Sequence, residues 1–132
     1  MNMDINLNDI KKELFIDKSK LDECSSNNPL YVQKYLQLWF AESKKLNTLE
    51  RKFERYMKEK SEYYKTGYKL IPETQKELIF LIDGDEEINN LKREIQDQSL
   101  YVSMLNQTIS NFRDRQWAIK NIIEFLKFKE GV

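Results

Sequence analysis

PLYVQKYLQLWFAESKKLNTLERKFERYMKEKSEYY, running from Pro29 to Tyr64, decides the fold. Every three or four residues it returns to one seam: Val32, Tyr35, Trp39, Glu42, Leu46, Leu49, Phe53, Tyr56, Lys60 and Tyr63. A second stretch, Asp85 to Phe128, does the same with Ile88, Leu91, Ile95, Gln98, Val102, Leu105, Ile109, Phe112, Gln116, Ile119, Ile123 and Leu126. Spacing of 3 and 4, sustained over many turns, marks a coiled-coil-like seam rather than the short apolar face of a globular helix. At about 1.5 Å of rise per residue, each helix would be on the order of 50–65 Å long. The fold class expected is therefore all-α, with two long helices that need a partner for their seams.

The flanking residues set the expected boundaries. Asn8 caps a short helix through Phe15, and Asp17 caps a second short turn ending near Asn27. Asn28-Pro29 reads as the start of the first long helix, because proline at the first helical position lacks only a donor that is already unpaired. Thr66-Gly67 ends that helix, since glycine accepts the left-handed closing conformation. Pro72 breaks the connector, and Gln75 to Ile82 reads equally as strand or helix. Asp83-Gly84-Asp85 is a turn in which Asp85 caps the second long helix and Glu86-Glu87 complement its dipole. Arg113, Arg115 and Gln116 interrupt the second seam, so a bend or a change of contacts is expected near Arg115. The expectation is one helical domain over 1–132: short helices to 28, a basic helix over 29–66, a connector over 67–84 and a C-terminal helix over 85–130.

Composition excludes several classes. A third of the residues are charged and only three glycines and two prolines occur, which favours helix over sheet or disorder. No histidine is present and Cys24 is alone, so a disulfide or the usual zinc site within one chain is excluded. No apolar run approaches the roughly 20 residues of a membrane span. Met1-Asn2-Met3-Asp4 lacks the parts of a signal peptide, which points to the cytosol. Asp83, Asp85 and Glu86 could be imagined around a magnesium ion, but a helix cap explains them better. No phosphate-binding glycine loop or nucleophile motif appears, and no catalysis or cofactor is expected.

Net charge is zero, yet it is segregated. Lys44 to Lys69 holds nine basic and four acidic residues, a local charge of +5; Leu70 to Gln98 reverses this to −5. The basic stretch interleaves with Tyr56, Tyr63, Tyr64 and Tyr68. Lysines that neutralise phosphates, with rings that stack on bases, are the chemistry of sequence-indifferent single-strand binding. The plainer alternative is that Tyr56 and Tyr63 are core and the lysines solvate a helix. The acidic block could equally be a partner for the basic one, within the subunit or between subunits.

Several short motifs, in order and spacing, carry a resemblance from about Glu13 to Gly131. They are Phe15-Ile16-Asp17, Lys20-Leu21, Asn27-Asn28 and Leu30-Tyr31; then Lys58 and Lys60 ahead of Glu62-Tyr63-Tyr64, and Gly67. Near the end come Arg115, Ala118-Ile119-Lys120 with Ile122, Phe128 and Gly131. In these the chain resembles the UvsY family, recombination mediators of T-even-like bacteriophages. The resemblance implies a ring-like homo-oligomer, a hexamer or heptamer, that binds single-stranded DNA without sequence preference in the cytoplasm of the infected host. It also implies two protein partners: a phage recombinase of the RecA class, and the single-strand-binding protein that the recombinase must replace.

The family's DNA-binding basic pair falls on Lys58 and Lys60, with lysine at the second position where the family has arginine, which forfeits forked contact. Arg51, Lys52, Arg55 and Lys65 would assist, with Tyr63 or Tyr64 as stacking platforms. Phe112, Ile119, Ile122, Ile123 and Leu126 fall in the family's C-terminal assembly region. The rival is a coiled-coil structural or adaptor oligomer, a virion or scaffold component with no nucleic-acid role; a weaker one is an anti-repressor that uses the acidic segment.

Overall fold

Local capping fixes where the helices begin. Asn6, in an extended conformation, accepts a hydrogen bond from the Asn8 amide at 2.9 Å and opens α1 (Leu7–Leu14). The cap is therefore Asn6 and not Asn8, whose own amide is the group being satisfied. Asp17 takes the Ser19 amide and hydroxyl at 2.9 and 2.6 Å, setting a 3₁₀ turn over Lys18–Lys20. That turn leads directly into α2 (Leu21–Glu62), which ends in a π turn over Tyr63–Gly67. Two more helices follow, α3 (Gln75–Asp83) and α4 (Glu86–Lys129). The computed structural model describes residues 5–69 and 71–131. Met1–Asp4, read above for a signal peptide, and Leu70 of the connector lie outside the described residues. Among the described residues no strand forms, and no helix is long and apolar enough to cross a membrane.

The expected start at Asn28-Pro29 is corrected: Pro29 lies inside α2. Proline there removes the amide that would satisfy the Ser25 carbonyl. The cost is offset by long-range bonds on the same stretch. Asn28 is 2% exposed; its side chain donates to the Phe112 carbonyl at 2.8 Å and accepts from Arg115 at 2.7 Å. An asparagine so engaged is unavailable as a cap, and helix continues on both sides of it.

The described residues form two compact units. One comprises residues 5–41 and 101–131. Its core is Ile10 from α1, Tyr35 from α2, and Tyr101, Leu105, Ile109 and Phe112 from α4. The Tyr35 and Phe112 rings stack at 5.3 Å, and Tyr31 leans on Phe112 at 5.4 Å. Arg115, 6% exposed, reaches the carbonyls of Leu14, Phe15 and Cys24 as well as Asn28, tying α1 and the start of α2 to α4. The contact change expected near Arg115 is this hub.

The other unit is residues 42–100. Ile88 and Leu91 are buried at the start of α4, and Leu78 and Ile82 of α3 pack with Tyr64. The segment that read equally as strand or helix is helix, because Thr74 accepts the Glu77 amide at 3.2 Å while the Glu77 carboxylate accepts from the Glu73 amide at 2.8 Å. This is a variant of the reciprocal capping box. Farther along, one polar member of each seam meets the other: Gln98 donates to the Glu42 carboxylate at 2.7 Å and carbonyl at 2.9 Å. Buried polar pairs of this kind fix the register of paired helices.

Candidate nucleic-acid interface

The basic half of α2 divides into two faces. Arg51, Arg55, Lys58 and Lys65, with Glu62 among them, recur at intervals of four and three and share one side of the helix. All five are exposed. From Arg51 to Lys65 the row extends about 21 Å at helical rise. Lys58 and Lys65 border a shallow groove with Met57, Ser61 and Glu62. Among the described residues none of these four cations is in an ion pair; Arg51 donates only to the Asn47 carbonyl, at 3.4 Å.

Lys52 and Lys60 belong to a second, half-buried face. Lys52 lies over the Tyr56 ring at 5.4 Å and Lys60 over the Tyr63 ring at 5.7 Å. Lys60 is further engaged by carboxylates at the α4 end of the unit, 3.3 Å from Asp85 and 3.2 Å from Glu87. Burial opposes its charge, but the Glu87 and Asp85 carboxylates prevail and hold its pKa above the usual lysine value. Lys58 and Lys60 are thus not equivalent: one ammonium faces solvent and the other is already neutralised.

Asp85 has a larger role than a cap. Its side chain accepts the Ile88 amide at 3.0 Å, as expected of a cap, and also the Tyr64 hydroxyl at 2.6 Å. Burial raises its pKa, yet the Tyr64 hydroxyl, the Ile88 amide and Lys60 together outweigh burial and keep it below the usual carboxylate range. In turn the hydrogen bond to Asp85, followed by burial, pushes the Tyr64 hydroxyl up to about 12. No group of His, Cys, Asp and Glu among the described residues could hold a metal ion.

The two candidate stacking tyrosines have different fates. Tyr64 is 9% exposed and committed to Asp85, so its face is closed to a base. Tyr63 is 48% exposed. It packs edge-on against Tyr64 at 5.1 Å and Tyr68 at 6.0 Å. Its ring also lies against Gly67, where an added Cβ would sit 3.3 Å from the Tyr63 Cδ2. The π turn carries this aromatic cluster, and such turns recur at functional positions.

The expected assembly residues divide similarly. Phe112 and Ile119 are fully buried within the chain, so they are core and not a free seam. Ile122 and Ile123 are half-buried and Leu126 is 36% exposed. The exposed apolar groups nearby are Trp117, Phe125 and Phe128, none of which the sequence reading assigned to assembly. Their spacing of eight and three places them on one side of α4, a signal that was present but lay off the chosen seam.

Comparison with known proteins gives a consistent outcome. Residues 9–132 match the model of the family described as "Recombination, repair and ssDNA binding protein UvsY". No curated protein matches the chain. Crystal structures of the bacteriophage T4 recombination mediator protein UvsY share the fold. Its lattice type IV has a TM-score of 0.85 and 21% identity, covering 98% of this chain and 99% of that one. Lattice type II has a TM-score of 0.87 at 19% identity, covering 98% of each.

Proposed function

The chain belongs to the UvsY family, and we propose from this that it binds single-stranded DNA without sequence preference and acts as a recombination mediator. The observation that supports this is the exposed row Arg51, Arg55, Lys58 and Lys65, a set of cations with no internal ion partner among the described residues. Such a row displaces the counterions condensed on phosphates, whatever the base sequence. Tyr63, against Lys60 on the neighbouring face, offers a half-open ring for stacking.

Four cations per subunit make a weak site. Repeated around a ring-like homo-oligomer they make a continuous track, and avidity replaces affinity. The exposed Trp117, Phe125 and Phe128, with Ile122, Ile123 and Leu126, support α4 as the element that joins the copies. Wrapped on that track, DNA is held less firmly by the resident single-strand-binding protein and is presented to a recombinase of the RecA class. The place of action is the cytoplasm of the infected host, and the reading assigns the mediator no hydrolytic step.

Binding of a fluorescent oligo-dT strand across several salt concentrations, with a molar-mass determination on the same sample, tests the reading. Tight, salt-sensitive binding by an oligomer is the expected result. An oligomer that ignores the strand at low salt would return the chain to the structural-adaptor reading.

A further inference from the structure

We propose that Glu87 and Asp85, at the start of α4, form a built-in competitor for the DNA backbone at Lys60. The proposal rests on the single-strand-binding reading above and adds a regulation of that same surface. The Lys60 side chain is 22% exposed, and its Nζ lies 3.3 Å from the Asp85 Oδ2 and 3.2 Å from the Glu87 Oε2. Two carboxylates around one ammonium already supply at least the single negative charge that a backbone phosphate would bring. Lys60 therefore adds nothing to the basic row while this contact is closed.

The two carboxylates have different freedom. Asp85 is fixed, with its side chain 5% exposed, one oxygen on the Ile88 amide at 3.0 Å and the other on the Tyr64 hydroxyl at 2.6 Å. If Lys60 departs, those two donors remain, so the buried charge is not stranded. Glu87 is 66% exposed and has no such anchor among the described residues. Lysine carries its charge on a flexible four-carbon stem. A phosphate arriving near Tyr63 can therefore take Lys60 from Glu87 first, and Glu87 resists by competing for the same ammonium. Strand release is favoured by the same contact, a useful property for a protein that must hand DNA on.

A double-mutant cycle on the full-length protein tests this, read by oligo-dT binding at about 0.1 M salt with thermal melts confirming folding. Glu87→Gln should tighten binding about two- to fivefold, the range spanned by a partly exposed ion pair. It should also steepen the log–log salt dependence by up to about 0.7, one more phosphate engaged on a single strand. With Lys60→Ala in place, the same change should do nothing. No gain from Glu87→Gln in a protein that binds normally would overturn the competitor. A gain that persists without Lys60 would overturn it too, because general repulsion by Glu87 would then be the cause. Failure of the parent itself to bind would instead sink the underlying single-strand reading, and this proposal with it.

Discussion

Replacing Arg115 with methionine should cost about 2–6 kcal/mol of folding stability, from about 1–3 kcal/mol for each of two neutral acceptors left buried and unpaired. Arg115 donates four hydrogen bonds: to Leu14 O at 3.0 Å, Cys24 O at 3.2 Å, Phe15 O at 3.1 Å and Asn28 Oδ1 at 2.7 Å. At about 1.5–3 kcal/mol each for a charged donor, a simple sum would far exceed that figure. The sum overshoots because methionine also escapes the several kcal/mol of burying a guanidinium. Leu14 and Phe15 lie near the surface, so water can reach their carbonyls again. The lasting penalty falls on Cys24 O and on Asn28, which is 2% exposed. With it goes the contact of the guanidinium with the Tyr31 ring at 5.8 Å. Urea melts at a fixed protomer concentration measure the loss, and protease sensitivity around α1 locates it. Arg115→Lys should recover less than half, because one ammonium cannot span four acceptors held at fork geometry. A methionine variant within about 1 kcal/mol of the parent would mean that the hub is incidental, and that something else carries Pro29 within α2.

Lys58→Ala should weaken oligo-dT binding about fivefold at 0.1 M salt and flatten the log–log slope by about 0.7, one single-strand phosphate contact per subunit; a smaller effect than that of Lys60→Ala would show that the exposed row is not the DNA track. Ile119→Asp puts a charge at a fully buried position and should abolish folding by circular dichroism, whereas Phe125→Asp, at a position 64% exposed, should keep the melt and lower the mass seen by light scattering. The Asp85 pKa is lowered on folding, so its contribution is present above about pH 4 and lost as pH falls through its folded value. Tyr64 and Lys60 are raised, so theirs holds below about pH 10 and is lost as pH climbs toward the folded values. Amide exchange across residues 60–90 should show both losses, and Asp85→Asn should remove the acid one.

The parts of the fold that one helix can dictate were legible. Glu42 and Gln98 were placed on their seams by spacing alone, although neither is apolar, and they are buried against each other. Asp85 was readable as a cap because its partner, the Ile88 amide, lies three residues on. Thr74 and Glu77 were readable in the same way but were obscured by the apolar run that follows them. What could not be read depends on partners distant in sequence. Asn28-Pro29 has every local mark of a helix start, and it is Phe112 and Arg115, 84 and 87 positions away from Asn28, that make it an interior. Lys58 and Lys60 look alike in sequence; Glu87 distinguishes them. Tyr63 and Tyr64 are adjacent, and the hydroxyl bond to Asp85 decides which ring is withdrawn from solvent.

The division of the basic segment bears on the proposed assembly. Lys45 is bound to Glu42 at 3.1 Å and Lys60 to Asp85 and Glu87, so part of the +5 charge is consumed within the subunit. The exposed row of four cations can engage about four phosphates, and with Glu62 beside it no single copy concentrates enough charge for tight binding. Affinity must then rise with the number of rows presented to one strand. A loss of assembly should accordingly cost more than a loss of charge. Phe125→Asp, which leaves every lysine in place, should weaken oligo-dT binding by more than the fivefold expected of Lys58→Ala. If the smaller species bound as tightly as the parent, the row on one subunit would suffice, and the argument from avidity would fail.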